Sequence, residues 1–180
     1  MRWEIKLQSR CYDRQRDHRH VTEVHRMTID SREMNRRLIR LSESPTARFW
    51  RADYDRLTIP EQVFLLIWEL ESEVNNGGFH QYFYNSSGAL APNIVSALKI
   101  LGAEATADIA QRALNAVGNA ITSWSDDAAR QASVNRLSSE AREILENLDQ
   151  EYYKCPEDLT PLLYKYVAEH RIEIYAPLDF

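Results

Sequence analysis

Apolar residues recur at helical spacing in one stretch of the chain more regularly than elsewhere. Five of them lie at offsets of 0, 3, 4, 7 and 11, the spacing that places side chains on one face of an α-helix. Thr58 and Glu61 form a capping-box pattern before this stretch, and Pro60 fits its first turn. We predict a helix that begins after Thr58 and ends in residues 75–78, since Asn and Gly tolerate the left-handed backbone of a C-cap. The five residues are Val63, Leu66, Ile67, Leu70 and Val74.

The rest of the chain from Asp30 onward shows further helical patterns. Pro161 is expected to split or kink the last helix, and residues 171–175 alternate weakly, as in an extended segment too isolated to form a sheet. These patterns predict an all-α fold, a compact multi-helix single domain over residues 27–180. The additional helices are predicted over residues 30–40, 79–84, 92–101, 104–117 and 138–153, from residue 126 onward, and around residues 159–167.

The N-terminal segment differs from this body in charge and in pattern. Residues 1–40 contain 11 Lys or Arg and 6 Asp or Glu, whereas residues 41–180 contain 11 and 21. A basic arm therefore precedes an acidic body. Residues 1–26 are predicted to be mostly irregular, or untranslated if translation begins at Met27, and direct nucleic-acid contact is expected, if anywhere, only from this arm. Three histidines in the arm lack a pattern specific for a metal site; they are His18, His20 and His25.

Composition and motifs narrow the classes of function. The 180 residues are 44% hydrophobic and 27% charged, which favours one folded domain. There is no apolar run of about 18 residues and no signal-peptide pattern, and Cys11 and Cys155 are predicted to be thiols, so a cytoplasmic protein is expected. No phosphate-loop, dinucleotide-binding, metalloprotease or serine-hydrolase motif occurs. We predict no cofactor, no metal and no catalytic residue, and an enzyme has no positive support.

The segment VNNGGFHQYFYNSSG, residues 74–88, has the most unusual composition in the chain. In one interpretation its amides and glycines end helices, and its aromatic side chains pack a tight joint between two helices. In the alternative, Asn76, Gln81 and Asn85 line a small-molecule pocket in which His80 acts as an acid or base. Helical spacing places His80 opposite the aromatic face, so an exposed position is expected for it.

The helix predicted over residues 138–153 carries an acidic face. Four acidic residues recur at every third position, opposite an apolar stripe, and only Arg142 interrupts them. Because neighbouring like charges on a helix repel one another, a basic partner is one way to compensate them, and a solvated surface is the alternative. The row consists of Glu140, Glu143, Glu146 and Asp149, and the stripe of Ile144, Leu145 and Leu148. Glu69, Glu73 and Glu151 complete the predicted protein-binding acidic face.

The stretch from Leu57 to Gly88 resembles the signature of a bacterial domain family whose named member is a DNA-mimic protein. The sequence LDQEYYK, residues 148–154, is similar to the family's second motif. The resemblance implies an all-α homodimer and, for the named member, an acidic surface that imitates duplex DNA and occupies the DNA-binding surface of a transcription factor. The matching signature residues are Asn75, Asn76, Gly77, Gly78, Phe79, Gln81, Tyr82, Phe83, Asn85 and Gly88.

Two hypotheses for function follow. The first is an acidic protein-interaction module whose partner is a DNA-binding protein, with DNA mimicry as its mode of action. The second is a protein that binds a small molecule, or an enzyme, using the region of Asn76, Gln81 and Asn85. Convergence of these three amides on an open cleft would favour the second hypothesis.

Overall fold

The computed structural model describes residues 29–176. In this part of the chain it contains seven α-helices and no strand, which confirms the all-α prediction. The predictions for residues 1–26, including an irregular basic arm and its histidines, lie outside the described residues.

The helices follow one another with short connections. Two 3-10 helices, Tyr54–Arg56 and Ser86–Asn93, flank the longest helix, α2. None of the described helices has the length and apolar character that a membrane span requires. The α-helices are α1 (Ser31–Ser42), α2 (Ile59–Tyr84), α3 (Ile94–Leu101), α4 (Glu104–Val117), α5 (Asp127–Asn135), α6 (Ser139–Tyr152) and α7 (Leu159–Glu169).

Polar side chains cap several helix starts, including the capping box that the sequence predicts at Thr58. The Thr58 side chain accepts a hydrogen bond from the N–H of Glu61, whose carboxylate accepts one from the N–H of Thr58. Asp126 and Ser138 accept from backbone N–H groups in the first turns of α5 and α6. Each bond satisfies a donor that the helix leaves unpaired, so these residues fix where the helices begin.

Helix α2 lies at the centre of the fold. It packs against α3, α5, α6 and α7, while α1 packs on α7 and α4 on α6. Phe64, Ile67, Leu70 and Val74 of α2 are fully buried, so the apolar stripe that predicts this helix forms the middle of the core. The arrangement places the signature segment at the end of α2 directly beside the acidic helix α6.

Four local predictions need correction. Asn75 and Asn76 stay helical, because the interruption of α2 is confined to the two glycines that follow. Pro161 does not split α7, since it lies in the first turn, where no N–H is needed. Residues 171–175 form turns rather than an extended segment. Cys155 is disulfide-bonded rather than a thiol, and Cys11 lies outside the described residues.

Candidate functional site: the kink of α2 and the acidic helix α6

Gly77 and Gly78 interrupt α2 with a kink. Gly78 has φ 74° and ψ −176°, a backbone conformation that essentially only glycine adopts. A Cβ atom at Gly78 would also lie 2.1 Å from Oδ2 of Asp149 in α6. Gly78 is therefore needed for the chain direction and for the close approach of α6.

The kink turns the last residues of α2, after Gly78, back toward the part of α2 that precedes Gly77. The Asn85 side chain donates a hydrogen bond of 2.7 Å to Oε2 of Glu73, twelve residues earlier. A continuous helix would separate these two residues by about 18 Å along its axis, which their side chains cannot span. Residues 59–76 and residues 79–84 are therefore two helical segments that enclose a sharp bend, as the joint interpretation of the signature predicts.

Asp149 caps the second helical segment from outside α2. Its Oδ1 accepts a hydrogen bond of 2.8 Å from the N–H of Phe79, which is the first residue after the kink and would otherwise have an unpaired donor. Burial raises the pKa of Asp149 although this bond opposes the shift. Asp149 therefore faces the kink and is half-buried, unlike the other three acidic residues of the predicted row; its predicted part in protein binding stays a prediction.

Two tyrosines link the end of α6 to the first segment of α2 by hydrogen bonds. Tyr152 is the last residue of α6, and Tyr153 follows it. The Tyr152 hydroxyl donates to the carboxylate of Glu71, and the Tyr153 hydroxyl donates to the carbonyl of Val74 at 2.8 Å. Glu71 is buried, and burial raises its pKa to about 7 while the bond from Tyr152 opposes that shift. The second motif of the chain thus docks on the signature and fixes the position of α6.

Glu140, Glu143 and Glu146 form the part of the predicted acidic row that faces solvent. All three are exposed, and no Lys, Arg or His among residues 29–176 forms an ion pair with them. Arg142 donates instead to backbone carbonyls at the end of α5. We call these three glutamates the exposed row. Ile144, expected in the apolar stripe, is 39% exposed beside them.

The other members of the predicted acidic face lie elsewhere or are neutralised. Glu151 forms a two-pronged ion pair with Arg112, whose guanidinium also contacts Asp108. Glu69 and Glu73 lie at the bend of α2, where one oxygen of Glu69 is buried and Glu73 accepts from amides. The seven residues predicted as one face are therefore divided, and of these seven only Glu140, Glu143 and Glu146 are exposed without an ion pair to a described residue.

The amides of the signature form intramolecular hydrogen bonds. Asn75 and Asn76 donate to backbone carbonyls one turn earlier in α2, whereas Gln81 and Asn85 both donate to Oε2 of Glu73 at 2.7 Å. Asn76 thus has a different acceptor from Gln81 and Asn85, and these bonds give no sign of the three amides converging on one open cleft. A cavity of about 10 Å³ beside Trp68 and Glu71 has room for no more than one water molecule.

The aromatic residues of the signature belong to the core. Phe79, Tyr82 and Phe83 are each 1% exposed, and the Phe79 ring meets the edge of the Tyr152 ring at 5.8 Å. Gly88 is buried where a Cβ atom would lie 2.4 Å from the carbonyl oxygen of Phe83. These contacts support the interpretation of the signature as a tight joint.

His80 is half-buried rather than exposed. Its Nε2 is buried and has no hydrogen-bond partner. Burial lowers the pKa of the imidazole, and the positive charge of Arg142 lowers it further. The neutral form is thus favoured, and the imidazole stacks on the ring of Tyr84 at 6.4 Å.

Arg130 and Glu71 are important buried residues that the sequence analysis missed. Arg130 is fully buried and donates to the carbonyls of Phe83 and Asn85 at 3.0 and 2.9 Å, which closes the end of α2. Nothing in the pattern of α5 distinguishes it from a surface arginine. Glu71 does carry a signal, because it follows Ile67 by four residues and precedes Val74 by three, on the apolar face.

Comparison with known proteins identifies the family. A family model described as DMP19-like protein matches residues 55–170, well over half of the chain. The match covers α2 to α7 and therefore includes the kink, its cap by Asp149 and the exposed row. No significant match is found among curated proteins or among solved structures. The chain belongs to the DMP19-like protein family.

Proposed function

We propose that the chain binds a DNA-binding protein through the exposed row of α6 and thereby keeps that protein away from DNA. The observation that carries the proposal is the exposed row itself: Glu140, Glu143 and Glu146 face solvent without an ion pair to any described residue. Membership of a family consistent with DNA mimicry supports the same function.

The spacing of the exposed row suits a surface that normally binds phosphates. Successive members are three residues apart, which on a helix brings their Cβ atoms to about 5–6 Å. The row advances by about 9 Å from Glu140 to Glu146. A protein surface lined with Lys and Arg to neutralise closely spaced phosphates experiences a similar field from such a row.

Within the described part of the chain no cation pairs with the exposed row, which makes the row costly without a partner. Glutamates one turn apart repel one another by roughly 0.2–0.5 kcal/mol per pair. Arg142, the cation within the row, donates to the carbonyls of Leu137 and Asn135. A basic partner would remove this repulsion, so association is favoured by the same charges that weakly oppose helix formation.

The scaffold holds the exposed row in a fixed position. The N–H of Phe79 donates to Asp149, and the hydroxyls of Tyr152 and Tyr153 donate to acceptors on α2. A row that is already positioned loses little conformational entropy on binding, which favours affinity. The two motifs that resemble the family, residues 74–88 and 148–154, would then serve to hold α6 in the position in which it binds its partner. The homodimer implied by the family resemblance stays a prediction.

Capture from a lysate tests the proposal. The purified chain is immobilised, host lysate is passed over it, and bound proteins are eluted with duplex DNA. We expect a DNA-binding protein to elute, and we expect its capture to be lost when Glu140, Glu143 and Glu146 are all replaced by Lys. Reversal of Glu43, Asp53 and Asp55, three exposed acidic residues outside α6, changes the net charge equally and serves as the control. Equal loss of capture in both variants would mean that net charge, and not the exposed row, is responsible.

A further inference from the structure

Several buried polar atoms of α2 have no hydrogen-bond partner. Oε2 of Glu69 and the hydroxyl of Tyr82 are two of them. Tyr82 is 1% exposed, and the charges that raise the pKa of its hydroxyl, after burial itself, come from Glu69 and Glu73. Glu69 and Glu73 are one helical turn apart on α2. We call Glu69, Glu73 and Tyr82 the elbow cluster.

The acidic side chains of the elbow cluster have no ion-pair partner within the described part of the chain. No Lys, Arg or His among residues 29–176 forms an ion pair with Glu69 or Glu73. The remaining titratable group that acts on Tyr82 is Tyr54, a phenol from the neighbouring 3-10 helix. Burial and the charge of Glu73 raise the pKa of Glu69 to about 7. An ionised carboxylate in this environment lacks the compensation that buried charges normally have.

Neutral donors orient one of the two carboxylates. Gln81 and Asn85 both donate to Oε2 of Glu73 at 2.7 Å, which fixes that group without neutralising it. Glu69 and Glu73 are each partly exposed, so the two side chains border solvent, whereas Oε2 of Glu69 and the Tyr82 hydroxyl lie below the surface. The bend therefore presents an oriented carboxylate, a second carboxylate with a buried open acceptor, and a buried hydroxyl.

We propose that the elbow cluster binds one organic cation through an ammonium or guanidinium group. Such groups carry several donors, which matches the two carboxylates and the hydroxyl. The described residues contain no cluster of three or more side chains suited to a metal ion, which favours an organic cation. The cation is either a free amine or a Lys or Arg side chain of a bound protein. The site and the exposed row have no residue in common, because the row lies on α6 and the elbow cluster on α2.

Carbon-13 NMR of the Glu69 side-chain carboxyl tests the proposal on the purified chain. Spermidine and N-acetyl-arginine amide are the two probes, with sodium chloride at matched ionic strength as the reference. Because a bound cation favours the carboxylate, at least one probe should move the Glu69 titration midpoint below about 7, and its affinity should rise with pH through that value. A response to spermidine alone indicates a free amine, and a response to the arginine probe indicates a side chain.

Variants locate the binding. Glu69→Gln keeps the shape of the side chain but removes its charge, so we expect about tenfold weaker binding of the responding probe. Tyr82→Phe removes only the hydroxyl and should also weaken binding, with circular dichroism confirming that each variant folds. Glu43→Gln, at the exposed end of α1, removes the same charge elsewhere and should leave binding unchanged. An unmoved Glu69 midpoint with both probes, or equal losses in Glu69→Gln and Glu43→Gln, would overturn the proposal.

Discussion

Oδ1 of Asp149 in α6 accepts a hydrogen bond of 2.8 Å from the backbone N–H of Phe79, the first residue after the kink of α2. This bond joins the two motifs of the chain, which are 70 residues apart. The bond helps to position α6. Because it also directs the Asp149 carboxylate toward α2, this carboxylate does not belong to the exposed surface of α6. The exposed row consequently has three members, and Asp149 contributes by holding α6 against the kink of α2.

Replacing Gly78 with Ala should destabilise the fold by more than about 3 kcal/mol. The new Cβ atom would meet the Asp149 carboxylate at 2.1 Å, in a backbone region that non-glycine residues essentially avoid. Gly102→Ala is the matched control, because Gly102 has φ 82° but no atom within 4 Å of its Cβ position. Its cost should stay at about 1–2 kcal/mol. Urea unfolding measures both, and equal losses would contradict a close approach at the kink.

Replacing Asp149 with Ala should lower the free energy of unfolding by about 1 kcal/mol, the usual cost of a lost helix cap. Asp149→Asn keeps an acceptor oxygen for the N–H of Phe79 and should cost less. Because Asp149 does not belong to the exposed row, the Asn variant should capture the partner as well as the unchanged chain does. If Asp149→Asn keeps its stability but loses capture, Asp149 contacts the partner and belongs to the binding surface after all.

Replacing Arg130 with Met should cost about 3 kcal/mol or more. The guanidinium is buried and donates to the carbonyls of Phe83 and Asn85, and buried acceptors without a donor are expensive. Arg136→Met is the control, since Arg136 is exposed at the end of α5 and donates to a single carbonyl. Thermal unfolding distinguishes the two. A change within about 0.5 kcal/mol at Arg130 would be incompatible with its role in closing α2.

Stability should depend on pH through Glu69. The folded pKa of Glu69 is about 7, against 4.5 for an ordinary glutamate, so the folded state holds more protons between these values. The free energy of unfolding should therefore fall as the pH rises from about 4.5 to 7, by on the order of 1.4 kcal/mol per unit of pKa difference. Glu69→Gln should make this slope shallower but leave the part due to Glu71, whose pKa burial also raises to about 7, whereas Glu43→Gln should retain the full slope. Chemical unfolding over this pH range gives the comparison, and parallel slopes in all three proteins would refute the assignment.

Much of the fold follows from local patterns, because caps and apolar spacing act within a few residues. The capping box of Thr58 and Glu61 appears in the sequence and in the structure. The site is less predictable, since a carboxylate at helical spacing looks the same whether it faces solvent or a neighbouring helix. Asp149 continues the acidic row in sequence, and only the packing of α6 on the kink shows that it points inward.

Helical spacing also could not show that the seven residues of the predicted acidic face lie in different places. Glu73 becomes an acceptor for Gln81 and Asn85 only because α2 bends sharply, and single-sequence periodicity does not give the angle of a bend. Glu151 is neutralised by Arg112 from α4, a pairing across 39 residues. Contacts of this kind depend on how helices pack, which the spacing within each helix does not determine.

The central claim is that the exposed row and DNA compete for one surface of the partner. The direct measurement uses the captured partner, purified and bound to fluorescent duplex DNA, and follows DNA release as the chain is added. The account predicts release by the unchanged chain and by the variant with Glu43, Asp53 and Asp55 reversed, and none by the variant with Glu140, Glu143 and Glu146 reversed. A stable complex that contains chain, partner and DNA together, or equal release by both variants, would contradict it.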